Sequence, residues 1–289
     1  MAAKFLKLGQ KNYPQRLADI KKPPEKLFYE GDLNSSIFTQ CLGVVGTRQM
    51  TDYGQEVADK LIRPVAKAGI TIVSGFMYGI DAAAHRACLE VGGKTIAVLG
   101  CGIDIVRPKR HLELKQRIID SGGLMVSELP DDHPAFRWTF VKRNRIISGL
   151  SQAVLVIEAP KKSGSLITAD FAFEQGRQVL AVPGPGTSTV TEGTSALIKK
   201  GASLVSSPDD ILKALGVSIE NTDKGFNREV GELPSQERLV FASLRKSNMS
   251  IDRLSRELQL PAGEIGQAIS MLSLKGLVGQ NSQGEYYLI

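Results

Sequence analysis

The densest group of chemically able side chains lies at Arg137-Trp138-Thr139-Phe140-Val141-Lys142-Arg143-Asn144-Arg145, with four basic residues, two aromatic rings and no acid. Guanidinium and ammonium groups take phosphates, and aromatic faces stack on unpaired bases. A solvated helix face would carry the same charges, but not the interleaved Trp138 and Phe140. A second set of residues sits in turns: Gly46-Thr47-Arg48, Ser74-Gly75 with Gly79 beyond, Gly100-Cys101-Gly102, and Ser163-Gly164-Ser165. Glycine lets backbone N–H groups approach an anion, and a helix N-terminus adds a favourable dipole. Any one such turn is as well explained by a tight connection. Four together, with Arg48 and several hydroxyls, point to a broad phosphate cradle.

Catalytic chemistry is thinly represented. Asp81 and His85 are four residues apart on an expected helix and share a face, where a structural hydrogen bond is the favoured reading over an acid–base couple. His111 and His133 have no evident partners. The chain has no GxSxG elbow, HExxH or Walker sequence, and Gly100-Cys101-Gly102-Ile103-Asp104-Ile105 lacks the third glycine of a dinucleotide turn. Cys41, Cys88 and Cys101 lie in apolar stretches without CxxC spacing, as buried thiols do. No metal and no cofactor is expected.

The elements that must hold these residues are legible in the apolar pattern. CLGVVG, GITIVSG, KTIAVLG, GLMVSE, AVLVIEA, QVLAVPG and ASLVSS recur between about residues 41 and 206, separated by helical patterns such as YGIDAAAHRACLEVGG. Continuous apolar runs suit strands buried on both faces. Their alternation with helices predicts an α/β fold, a mostly parallel, doubly wound, Rossmann-like sheet whose strand ends gather the glycine turns on one edge. Residues 1–40 read as an irregular N-terminal extension, so the first domain spans 1–215. A polar linker is expected over 216–234. Residues 235–289 read as three helices and a hairpin, the order of a winged helix: Leu239, Val240, Phe241 and Leu244 mark the first helix, Ser250 caps the second, and Pro261 opens the third.

The net charge is +6, from 36 Lys and Arg against 30 Asp and Glu, which permits an acidic partner without requiring one. Residues 233–289 contribute only +1 of it, so phosphate attraction belongs mainly to the large domain. No run of about 18 apolar residues marks a membrane span, and the N-terminus lacks an apolar signal core. With the thiols, this places the chain in the cytoplasm, away from membranes.

The runs LGVVGTR with TDYG, TIVSGFMYGIDAAAH, GGKTIAVLGCGID, RNRIISGLS, SGSLITADFAFEQGR and LIKKGASLV together resemble the DNA-processing protein A family (DprA, also called Smf), from about Tyr13 to Leu215. The resemblance implies an extended Rossmann fold that binds single-stranded DNA without catalysis. It also implies protection of incoming DNA and loading of RecA recombinase in natural transformation, and a homodimer formed through the α/β domain. By motif, phosphate-binding positions fall on Arg48, Ser74, Gly75, Lys142, Arg143, Asn144, Arg145, Ser163, Gly164 and Ser165, with Phe140 as a base-stacking residue. The chain departs from the family where FPxRNR reads Phe140-Val141-Lys142-Arg143-Asn144-Arg145, and where a YPxxN pattern reads Arg107-Pro108-Lys109-Arg110-His111.

Two other functions compete. A phosphoribohydrolase-like enzyme of the wider superfamily would need a PGGxGTxxE signature, and Ser163-Gly164-Ser165-Leu166-Ile167-Thr168-Ala169-Asp170 lacks its double glycine and its glutamate. A winged-helix transcription regulator would need cations on the third helix. That helix instead offers Glu264, Gln267, Ser270 and Ser273, with Lys275 at its far end.

Overall fold

All seven apolar runs form strands in the computed structural model, which describes residues 4–217, 233–244, 247–281 and 284–288. They are β3 (Cys41–Val45), β4 (Thr71–Ser74), β5 (Thr95–Val98), β6 (Leu124–Ser127), β7 (Ala153–Val156), β8 (Gln178–Ala181) and β9 (Ser203–Leu204). All pair in parallel, in the order β6-β5-β4-β3-β7-β8-β9. Val44 lies opposite Leu155, and Val73 opposite Ile96. The order reverses at β3, which pairs with both β4 and β7; this is the topological switch point where open α/β sheets accept ligands.

The N-terminal region is more regular than its turn-rich sequence suggests. Two of its segments, β1 (Lys4–Lys7) and β2 (Lys26–Gly31), pair with each other antiparallel, and β2 adds antiparallel to β6, extending the sheet to nine strands. Both are short and only partly buried. They therefore lack the continuous apolar run that marks the central strands. A four-residue helix, α1 (Gln15–Ala18), lies between them.

Helices cover both faces: α2 (Asp52–Lys67), α3 (Ile80–Glu90), α4 (Leu112–Asp120), α5 (Arg137–Leu150), α6 (Gly164–Glu174), α7 (Glu192–Lys199) and α8 (Pro208–Ala214). The pleat of β7 shows the two layers. Val154 and Val156 enter one core with Ile146, Ile147 and Leu150 of α5, while Ala153, Leu155 and Ile157 enter another with Leu61 and Ile62 of α2. Each fully buried aliphatic side chain contributes about 1.5–3 kcal/mol. Cys41, Cys88 and Cys101 are free, buried thiols, and burial pushes Cys41 and Cys88 up to about 12.

The chain divides into two compact units, Met1–Ser218 and Ile219–Ile289. Of the linker expected over 216–234, residues 218–232 lie outside the described residues. At its ends, the Val217 N–H donates to the Leu212 carbonyl (3.0 Å), and Leu233 is buried in the core of the second unit. That unit holds α9 (Ser235–Leu244), α10 (Ile251–Leu258), α11 (Ala262–Leu274) and the hairpin of β10 (Val278–Gln280) and β11 (Tyr286–Leu288), a winged helix. Ser250 caps α10 by accepting from the Arg253 N–H, as its sequence position predicts. Pro261 stands one residue before α11, at its N-cap. Val240, Phe241, Leu254, Ile265 and Leu272 form the core. The third helix carries no Lys or Arg, and Lys275 behind it is ion-paired to Glu237 at 2.6 Å.

Among the described residues, no helix is long and apolar enough to cross a membrane.

At the turn from β4 to α3, Gly79 has φ 71° and ψ −131°, and a Cβ there would lie 2.2 Å from the Thr47 carbonyl oxygen. Backbone strain and this backbone clash add together. Gly79→Ala is expected to cost about 3 kcal/mol or more, read as a lower urea midpoint at unchanged slope.

Candidate functional site

The connection from β6 to β7 passes over β5, β4 and β3 before β7 pairs with β3, and α5 is the helix that makes this crossing, packed on β3, β4 and β5. The basic run therefore lies across the carboxyl ends of the strands beside the switch point. At its start, the Thr139 hydroxyl accepts from the Phe136 N–H (3.1 Å) and donates to the Gly100 carbonyl at the end of β5 (2.5 Å).

The structure corrects the expectation that the whole run faces a ligand. Arg143 is 4% exposed. Its Nη1 donates to the carbonyls of Gly75 (2.6 Å) and Val98, at the ends of β4 and β5. Beside it lies the buried carboxyl of Asp81, which accepts from the Met77 N–H at 3.3 Å. Burial lowers Arg143 to about 10, against the opposing pull of Asp81, so it stays charged at neutral pH. Burial raises the Asp81 carboxyl above its ordinary range, and Arg143 restrains that rise. Arg145 is also buried: it grips both oxygens of Glu128, at 3.0 and 2.7 Å, and its Nε donates to the Lys22 carbonyl (3.0 Å).

Ser74 and Gly75 turn inward as well. The Ser74 hydroxyl donates to the Val44 carbonyl (2.6 Å), and Gly75 is enclosed by Asp81 and Arg143. All four are buried, and the side chains of Ser74, Arg143 and Arg145 are bonded within the fold, where they hold the edge in place. The reason is helical periodicity. Thr139, Arg143, Ile146, Ile147 and Leu150 fall on one stripe of α5, so Arg143 shares the face that packs on the sheet.

What faces outward is a smaller set. Arg48, just beyond β3, is exposed, and its guanidinium lies 5.5 Å from the centre of the Phe140 ring. Phe140 is half-buried, with Arg143 6.0 Å away beneath it. It seats on Gly100, where any Cβ would meet the ring at 2.6 Å. Lys142 is about half exposed and reaches Glu128 at 3.2 Å. Asn144 donates to the Gly164 carbonyl (3.3 Å), tying α5 to the start of α6. Ser163 caps α6 through the Ser165 N–H (3.3 Å); Gly164 is exposed, and the Ser165 side chain is buried. The outward set is thus Arg48, Phe140, Lys142, Asn144, Ser163 and Gly164.

Two features escaped the sequence reading. Glu158, fully buried just past β7, accepts from the Thr51 hydroxyl (2.5 Å) and N–H (3.0 Å), and its carbonyl accepts from the Thr47 N–H (2.7 Å). It thereby fixes the loop carrying Arg48; an acid closing an apolar run is its only sequence signal. Lys161 and Lys162 are exposed immediately before the Ser163 cap. Their signal, a basic pair beside a helix start, was there to be read.

The Asp81–His85 pairing does not form. His85 hydrogen-bonds Thr95 through Nδ1 (2.7 Å), and burial lowers its pKa to about 3, so it is neutral.

A family profile described as DNA recombination-mediator protein A matches residues 4–216, and one described as DprA winged helix domain matches residues 227–284. Protein Smf of Escherichia coli is 39% identical over 273 residues, spanning 92% of this chain and 72% of that protein. DNA processing protein DprA of Streptococcus pneumoniae is 42% identical over 200 residues, 69% of this chain and 70% of that protein. The crystal structure of the Streptococcus pneumoniae protein superposes with a TM-score of 0.69 at 39% identity, covering 73% of this chain and 74% of that one. DNA processing protein A from Helicobacter pylori, whose structure concerns its single-stranded DNA binding mode, superposes with a TM-score of 0.65 at 28% identity, covering 74% of this chain and 98% of that one.

Two substitutions separate positioning from contact. Arg143→Ala leaves the buried Asp81 without its nearby positive charge and two strand-end carbonyls without their donor, and is expected to cost about 3–5 kcal/mol, whereas Arg48→Ala should stay within about 0.5 kcal/mol. Without Arg143, the folded-state pKa of Asp81 rises further above the unfolded value near 3.8. A raised folded pKa means stability is lost as pH rises through that interval. The deficit of Arg143→Ala relative to the parent should therefore be smallest below about pH 4 and widen toward neutrality, as measured by urea unfolding at a series of pH values.

Proposed function

The chain belongs to the DNA recombination-mediator protein A family, a family of DNA processing proteins, and we propose on that premise that its large unit binds single-stranded DNA at the switch-point edge. The observation that carries this reading is the exposed Arg48 guanidinium against the half-buried Phe140 ring. A phosphate and an adjacent unpaired base need such a cation and such a flat face side by side. Lys142, Lys161 and Lys162 extend the cationic path, and the capped start of α6 offers Gly164 where backbone can approach an anion. The related Helicobacter pylori protein, studied for its single-stranded DNA binding, supports the same reading.

The wider role we propose rests on the family. The protein coats incoming single strands in the cytoplasm, protects them and loads RecA recombinase on them during natural transformation, without catalysing a reaction. It acts as a homodimer paired through the α/β unit, where β9 leaves one edge of the sheet open with Leu204 exposed. The winged-helix unit serves as a protein-contact or weak accessory element, since its third helix carries no cation.

Binding to an unstructured oligonucleotide should fall with salt at a log–log slope of about −0.7 for each phosphate neutralised. Arg48→Ala and Lys142→Ala should each weaken it several-fold and flatten that slope by about 0.7, with thermal midpoints unchanged. Removing residues 219–289 should leave most of the affinity. Fluorescence anisotropy across a salt series checks all three; equal affinity for blunt duplex, or a flat salt response, overturns the reading.

A further inference from the structure

Three aromatic rings that the site above does not use stand around the start of α5: His133 and Phe136 before it, and Trp138 on its first turn. Phe136 and Trp138 are 47% and 55% exposed. Their planes lie within 6° of parallel at 6.3 Å between centroids, and the His133 ring stands edge-on to both, at 5.9 and 6.3 Å. Large rings are ordinarily found inside, so this arrangement is held outside the core by something other than packing. The loop before α5 holds it. The Gly102 N–H donates to the His133 carbonyl (2.9 Å) and the Asp104 N–H to the Asp131 carbonyl (3.1 Å), so the loop is stitched to the turn that follows β5. The backbone that carries His133 and leads to Phe136 is therefore anchored to the end of β5.

The charge around the rings selects the partner. Arg137 lies between Phe136 and Trp138 in sequence, and Arg107, Lys109 and Arg110 are exposed on the adjoining loop. Against these stand the exposed acids Asp104 and Asp132 on the same two loops. A flat aromatic platform with an excess of cations fits a strand of nucleotides, whose bases offer π-faces and whose phosphates offer negative charge. Phe140 is on the first turn of α5, two residues after Trp138, so both rings stand at the end of α5 that meets the carboxyl ends of the strands.

We propose that His133, Phe136 and Trp138 form a second base-stacking platform that extends the single-strand path beyond Phe140. The proposal rests on the reading of the large unit as a single-strand binder, and adds where the strand goes after it leaves Arg48. The contribution is base-dependent and sequence-tolerant, since every base has a π-face.

Trp138 is the only tryptophan in the chain, so its emission reports on the platform alone. The full chain is titrated with a thymidine 20-mer and with an abasic sugar-phosphate strand of equal length, following anisotropy and tryptophan emission together. The thymidine strand is expected to quench the emission saturably, in step with binding, and the abasic strand to leave it unchanged. Trp138→Ala is expected to weaken thymidine-strand binding by about 5- to 100-fold. It should leave abasic binding and the thermal midpoint as they are, and Trp138→Phe should restore most of the affinity. Thymidine-strand binding with constant emission and no loss in Trp138→Ala overturns the platform while leaving the switch-point site standing. Equal losses for both strands overturn it too, because the ring would then act through phosphates or the fold. A change in emission with protein concentration alone would assign the rings to contact between copies of the chain. No binding of either strand by the parent would overturn the single-strand reading itself.

Discussion

One guanidinium organises the functional edge. Arg143 lies out of water beneath α5, bonded to the terminal carbonyls of β4 and β5 and balanced by Asp81. A buried cation is costly unless it is hydrogen-bonded and an opposite charge is near, and the partners of Arg143 come together only when the two strands and α5 are in place. The interaction is thus a test that the edge passes only when correctly assembled. Phe140 rests on the flank of this guanidinium, and Arg48 lies against the ring. The outward-facing site is the upper surface of a stack whose foundation is buried.

That arrangement divides the cations by task. Arg143 and Arg145 are consumed by carbonyls and carboxylates of the fold, and Lys142 shares Glu128 with Arg145. The exposed cations beside the switch point come from separate connections: Arg48 after β3, and Lys161 and Lys162 after β7. The net charge of +6 says little about this; the depth of each cation says nearly everything.

The central parallel strands were readable because a strand covered on both faces must be apolar throughout; β9, whose two residues are exposed, lies in an apolar run without sharing that cover. The three helices and hairpin of the small unit were readable from ordinary helical spacing and one N-cap serine. β1 and β2 were not, since short, half-exposed strands in KFLK and KLFYEG have no period to detect. The strand-end edge that holds the candidate site was legible, but the depth of its side chains was not. Glycines and a basic run located the edge, but a string of charges does not disclose which of them point inward. The clue was present: Arg143 is four residues from Thr139 and from Ile147, on the stripe that closes on the sheet. Glu158 had no such clue, because its partner Thr51 lies 107 residues away.

The position of β3 has a consequence for synthesis of the chain. Its partner on one side, β4, follows within a few tens of residues, but its partner on the other, β7, begins only at Ala153. A ribosome adding roughly 5–20 residues per second needs about 5–20 s to deliver that stretch. Throughout this interval β3, buried at every residue in the finished sheet, carries a row of unanswered N–H and C=O groups along one side, the kind of margin on which nascent chains adhere to each other. The helix that later spans the switch point is also the last piece made before that margin closes. The pairing that ends this exposure is therefore the one that α5 leads into, and the turn into α6 is added only after it.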